Sequence, residues 1–139
     1  MIILDTNVLS ALTRYEPEPL VLAWLDSQPM QSVWTTSVTI YETRFGIELL
    51  PPSRKRKRLE AALNDFIDLD LDNRVLPFDT HAANMAGTFA AEQRRAGRTV
   101  EIRDVQIAGI TAARRGTLAT RNTRHFAGIG LALVDPWSV

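Results

Sequence analysis

An α/β protein is what this sequence predicts: three layers, α/β/α, with a mostly parallel central sheet. Three observations carry that expectation. Short apolar or β-branched runs such as IIL, SVWTT and LALV recur along the chain. Between them lie longer segments with apolar residues at helical spacing, roughly 10 to 15 residues each, the length that connects parallel strands by right-handed crossovers. Proline and glycine mark the boundaries, as at Pro51-Pro52, Gly97 and Gly116.

The elements follow in order. Ile2, Ile3 and Leu4 read as a short buried strand with Asp5 at its end. Val8, Leu9 and Leu12 give a helical stripe that runs out near Tyr15. EPEP (16–19) breaks it, and Pro19 suits the first turn of the next helix, continued by LVLAWL (20–25). SVWTT (32–36) is the second strand. Ser37 is expected to cap the helix that follows, and Pro51-Pro52 to stop it. From Ser53 a long helix carries Leu59, Ala62, Leu63, Phe66 and Ile67 on one face. VLPF (75–78) is the third strand. Asp79 or Thr80 caps an alanine-rich helix ending at Gly97, and a further helix spans roughly 104–115, closed by Gly116. TLAT (117–120) and LALV (131–134) supply the last strands.

At 139 residues the chain reads as one domain, 1–139, with enough length to bury a core. Its hydrophobic fraction of 45% and charged fraction of 23% are ordinary for a soluble protein. Without cysteine, neither a disulfide framework nor a thiolate metal site is available. The start MIIL has no basic leader, and no apolar stretch reaches membrane-spanning length, so a soluble, cytoplasmic protein is expected. The formal net charge is zero, yet RKRKR (54–58) stands close before DFIDLDLD (65–72), so local fields exist without a global one.

Carboxylates occupy the informative positions. In parallel α/β sheets, ligands gather outside the carboxyl ends of the strands, which is where Asp5 falls. Capping of the first helix by Asp5 or Thr6 is the alternative use. Glu42 has Val38, Phe45, Gly46 and Leu49 as same-face neighbours, so it lies in an apolar stripe where an unpaired charge is costly. Pairing with a distant arginine is the other explanation for it. Asp104 opens a helix whose inner face is Ile107, Ala108 and Ile110, with capping as the plain reading. Asp79 is left as a cap. Thr120 and Asn122 follow the fourth strand, where an asparagine ordinarily forms a turn.

Asp5, Glu42 and Asp104, converging with no lysine or arginine between them, would repel one another and raise their own pKa values. A hard divalent cation, Mg²⁺ or Mn²⁺, removes that penalty and is satisfied by a few carboxylates plus water. The chemistry this supports is metal-assisted attack of water on a phosphodiester.

LDTNVL, the glutamate in TSVTIYETRFGI, RDVQIAGITAARRG and LATRNTRHF, in that order, resemble the PIN-domain ribonucleases. Within them the chain is most similar to the VapC toxins of bacterial toxin–antitoxin pairs, with the FitB-like branch as a variant. The resemblance spans positions 2 to about 137. It implies a PIN-like fold, Asp5 and Asp104 as metal-binding aspartates, and Glu42 as the third acidic residue of the site. Thr6, Asn7 and Thr120 become supporting polar residues, and Asn122 fills a fourth position that is often Asp in the family. An asparagine there leaves the site one charge less negative and the number of metals open. The activity implied is a Mg²⁺- or Mn²⁺-dependent endoribonuclease, usually homodimeric, silenced by a small cognate antitoxin.

RKRKR reads first as a solvated helix start and second as an RNA-binding rim. Arg14, Arg44, Arg121 and Arg124 lie closer in sequence to the proposed site, with Arg121 and Arg124 the candidates for RNA phosphate. His81 and His125 share no ligand spacing and read as surface or partly buried residues. The alanine-rich helix is core first and dimer surface second, and Trp24, Trp34 and Trp137 anchor a core or an interface. An antitoxin is expected to lay a helix across an apolar groove. A phosphatase or receiver-like reading of Asp5 lacks its second acid, since position 7 is Asn7, and the only lysines are Lys55 and Lys57. The stronger alternative is a PIN-fold domain, weak or inactive in catalysis, that binds RNA or a protein partner.

Overall fold

A computed structural model describes all of residues 1–139. Five strands form one sheet: β1 (Ile2–Leu4), β2 (Val33–Thr36), β3 (Val75–Leu76), β4 (Thr117–Ala119) and β5 (Ala132–Val134). Their order is β3-β2-β1-β4-β5, and every pairing is parallel. Six helices accompany them: α1 (Thr6–Thr13), α2 (Pro19–Asp26), α3 (Ser37–Glu48), α4 (Arg54–Asp65), α5 (Thr80–Arg95) and α6 (Ile102–Ala113).

The strand pleat explains the layers. Successive residues point to opposite faces, so Leu4, Val33 and Ala119 join a core with Val8, Leu9, Val21, Ile47 and Leu63 from α1 to α4. Ile3 and Leu118 join a second core with Ala82 and Phe89 of α5 and Val105, Ile107 and Ile110 of α6. Buried on both sides, the strands need the continuous apolar character seen in IIL. Trp24 is buried, and Trp34 and Trp137 pack against the two cores, so all three serve the interior.

The order of strands positions the site. From β1 the chain moves outward through β2 and β3, then crosses back to build β4 and β5 on the other side. The carboxyl ends of β1 and β4 therefore flank the switch point, where open α/β sheets bind ligands. Residues Leu4 and Ala119 are in register. Asp5 and Thr120 come next.

Several boundaries differ from expectation. Thr36, not Ser37, caps α3, its hydroxyl accepting from the Thr39 amide at 2.9 Å. The third strand stops at Leu76 rather than Phe78, because only Thr35↔Val75 and Thr36↔Leu76 pair. Ser53 and Asp79 cap α4 and α5. After Asp65 the α4 helix widens into a π-helical turn, Phe66–Asp70, which buries Phe66. The last helix begins at Ile102 with Glu101 as its cap, so Asp104 lies within its first turn and is not the capping residue. No helix is long and apolar enough to cross a membrane.

Candidate active site

Asp5 stands one residue past β1, and its amide still donates to the Ala119 carbonyl at 2.9 Å. Its backbone is extended, and Oδ1 accepts from the Thr6 amide at 2.8 Å, so it does cap α1. Oδ2 accepts a 2.7 Å hydrogen bond from the Thr120 hydroxyl. The side chain is 5% exposed. Burial pushes the Asp5 carboxyl above the usual aspartate range, against the opposing pull of the Thr120, Thr6 and Asn7 hydrogen bonds and the His125 charge. Capping therefore does not remove Asp5 from the pocket: Oδ1 caps α1 while the same carboxylate lines the pocket wall.

Asn7 and Thr120 lock the two strand ends together. The Asn7 carboxamide accepts from the Arg121 amide at 3.0 Å, and the Thr120 hydroxyl accepts from the Asn122 amide at 3.1 Å. A longer contact of 3.4 Å runs from Asn7 Nδ2 to each of Asp5 Oδ2 and Thr120 Oγ1.

Glu42 reaches the site from α3, for a different reason than its neighbours suggested. Phe45 and Leu49 are 50% and 71% exposed, so the apolar stripe is not the buried face. Thr39, Thr43 and Ile47 are the buried ones. The Thr43 hydroxyl donates to the Thr39 carbonyl four residues earlier, at 2.9 Å, which satisfies it inside the core. Glu42 sits at the edge of that face, where Oε1 accepts from the Thr6 hydroxyl at 2.9 Å and Oε2 lies 3.7 Å from Arg103 Nη1. Contrary to the expectation from sequence, the acidic residues therefore do not converge free of cationic side chains. Arg103 stands among them, also 3.0 Å from Glu101. That pairing lowers the Glu101 carboxyl and raises the Arg103 guanidinium from their ordinary values.

Asp104 projects from the first turn of α6, where the helix dipole favours negative charge. His125 Nδ1 lies 3.2 Å from its Oδ2. Burial, then the charge of Asp5, push the Asp104 carboxyl up, while His125 opposes them. Asp5, Glu42 and Asp104 line one open pocket of 400 Å³ that contains no hydrophobic residue, with Asn122, Glu101, Arg103 and His125 also at its wall.

Of the residues singled out in the sequence, Asp5, Thr6, Asn7, Glu42, Asp104 and Asn122 line this pocket, and Thr120 braces Asp5 from behind. The arginines do not. Arg14 pairs with Glu18, Arg44 bonds Asn64, the Arg121 guanidinium lies 4.9 Å over the Trp137 ring, and Arg124 faces a neighbouring hollow. In RKRKR, Arg56 is engaged by Glu48 and Glu60, and none of the five lines the pocket. Glu101, Arg103 and His125 also line the pocket, the last contrary to its reading as an ordinary surface or partly buried residue, and all three through tertiary contacts that spacing along the chain does not reveal.

No three side chains of the Asp, Glu and His class lie close enough to cage a cation unaided. The donor set still suits a hard divalent ion, which keeps several waters and needs only one or two carboxylates. Asp5 and Asp104 are oxygen donors, and burial followed by the charge of Asp5 raises the Asp104 carboxyl, a cost that a cation held by them would relieve.

Comparison with known proteins gives one consistent result. The PIN domain family matches residues 2–130. A VapC ribonuclease, Y4jK, of Sinorhizobium fredii is 35% identical over 137 residues, covering 99% of this chain and 98% of its own. Toxin FitB of Neisseria gonorrhoeae is 34% identical over 137 residues, covering 99% of each. The crystal structure of FitAcB from Neisseria gonorrhoeae superposes with a TM-score of 0.85 at 31% identity, covering 100% of both chains.

Proposed function

This chain belongs to the PIN-domain family, and on that premise we propose that it is a Mg²⁺- or Mn²⁺-dependent endoribonuclease serving as the toxin of a toxin–antitoxin pair. The observation that carries the reading is the meeting of Asp5, Glu42 and Asp104, from the end of β1, α3 and α6, in one wholly polar pocket. Resemblance to a ribonuclease and to a toxin over nearly the full chain supports the substrate class and the biological role.

Asp5 and Asp104 would hold the cation, each already positioned: Asp5 by Thr120 and the Thr6 amide, Asp104 by His125. When bound, such an ion supplies Lewis-acid stabilisation of a phosphodiester and a more acidic water. Glu42, fixed by the Thr6 hydroxyl through Oε1, would orient the attacking water through Oε2, which also lies 3.7 Å from Arg103. Asn7 ties the start of α1 to the turn after β4, and Asn7 and Asn122 keep the pocket polar without adding charge. The reading includes one nuclease unit over 1–139, a small cognate antitoxin, a homodimer and a cytoplasmic setting.

A second reading has a specific observation in its favour. Asn122 stands where the resemblance to the family implies an acid in many members, and Arg103 places a positive charge beside Glu42, features that suit a domain binding RNA or protein without cutting. Incubation of the purified chain with an RNA panel separates them. Cleavage that stops with EDTA and returns with excess Mn²⁺ is expected of the nuclease; RNA retained but uncut in excess Mn²⁺ favours the binding domain.

A further inference from the structure

Beside the acidic pocket lies a larger hollow of 680 Å³, within the size range of small-ligand sites. The two share Glu101, Asp104 and His125 at their boundary. They form one continuous surface. Yet their chemistry differs: the acidic pocket has no apolar wall, whereas the second hollow is walled by Val100, Val105, Ala127 and Ile129. A cation site has no use for that apolar surface.

Two arginines complete it, in unlike states. Arg98 is held in place, Nη1 donating to the Ala127 carbonyl at 3.0 Å and to Gln93 Oε1 at 3.3 Å. Gly128 lets it sit so close: at φ +81°, a Cβ there would meet Arg98 Nη1 at 2.7 Å. These bonds tether one end of an exposed guanidinium to the rim of the hollow. Arg124 is exposed and makes no ion pair within the chain.

We propose that this hollow is a nucleotide subsite of the RNA whose cleavage is proposed above, taking the unstacked base of the residue next to the scissile phosphodiester. The base lies against Val100, Val105 and Ile129 with the Arg98 guanidinium at its side, and Arg124 takes the adjoining phosphate. Single-stranded RNA is bound in this manner elsewhere, by splayed bases on apolar, aromatic or guanidinium surfaces and phosphates on free basic side chains. Contiguity at Asp104 and His125 fixes which nucleotide is meant: the neighbour of the phosphodiester held at the acidic pocket. The inference rests on the nuclease reading and adds to it the part of the site that selects sequence.

The test measures binding of fluorescein-labelled oligo(A), oligo(U) and oligo(C) RNAs of equal length by the full chain in Ca²⁺. Ala127 is exposed, so Ala127→Trp fills the hollow from its rim without entering the core. The wild type is expected to rank the three RNAs with a spread of about fivefold or more, and Ala127→Trp to collapse that spread. A circular-dichroism melt checks its fold. Arg124→Gln serves as the second variant: it should weaken all three RNAs alike, keep their ranking, and lower the salt slope of binding by about one. A wild type indifferent to the base, a ranking kept in Ala127→Trp, or an unaltered salt slope in Arg124→Gln overturns the subsite and leaves the nuclease reading standing. Failure of the wild type to bind any RNA overturns both.

Discussion

The Thr120 hydroxyl donates a 2.7 Å hydrogen bond to Asp5 Oδ2, joining two buried side chains 115 positions apart at the carboxyl ends of β4 and β1. It is the contact that ties the switch point of the sheet to its first carboxylate. Replacement of Thr120 by valine keeps the shape and removes the donor, leaving Asp5 buried with one fewer partner. The cost is expected at about 1–3 kcal/mol of stability at neutral pH. Urea unfolding measures it, with the midpoint falling and the slope unchanged.

Asp104→Asn is expected to act in the opposite direction on stability. Burial and Asp5 raise its folded-state pKa, so the charged form is disfavoured by folding. That penalty is absent below the unfolded value of about 3.9, grows as pH rises through the folded value, and stays in full above it. The asparagine variant should therefore melt higher than wild type at pH 7, with the difference closing as pH falls toward 4. Its nuclease activity should be lost over the same range. A thermal melt series against pH reads the first effect.

Much of this arrangement is legible in the sequence, and the illegible parts have physical causes. IIL followed by Asp5 marks a strand end directly, because a strand buried on both faces is continuously apolar. The apolar stripe around Glu42 is largely exposed. The helix's true buried face uses threonines, Thr43 donating back to the Thr39 carbonyl and Thr39 accepting from the Thr36 hydroxyl, and hydropathy counts such residues as polar. Asp104 could be placed on its helix but not within it, since Glu101 three residues earlier makes the cap. Arg103 and His125 enter the site only when α3, α6 and the turn after β4 meet, a tertiary fact that no local pattern encodes.

Arg103 makes a third prediction. Its guanidinium faces Glu42 and Glu101 in the same pocket, so it opposes the binding of any cation there. Arg103→Gln should tighten Mn²⁺ binding severalfold, as read by electron paramagnetic resonance of free Mn²⁺ during titration. Equal affinity in both proteins would show that the guanidinium swings clear when the metal enters.

Gly109 supports the site from a distance. A Cβ there would lie 2.4 Å from the Ala82 carbonyl oxygen and 2.8 Å from the Ala86 methyl, so α5 and α6 approach closely only because the residue is glycine. Gly109→Ala must separate the helices, at about 1–3 kcal/mol or more. Unfolding midpoints report the loss. Because α6 carries Asp104, Mn²⁺ affinity should weaken alongside.

Cleavage of a broad RNA panel in Mn²⁺ by wild type and by Asp5→Asn tests the central claim most directly. Asparagine caps a helix as well as aspartate does, so α1 should remain in place while the charge at the strand end is gone. The account predicts metal-dependent cuts that fall by about a hundredfold or more in the variant, as expected when a metal's contribution to the transition state is withdrawn. Equal cleavage by both proteins would contradict it, and would remove Asp5 from the chemistry.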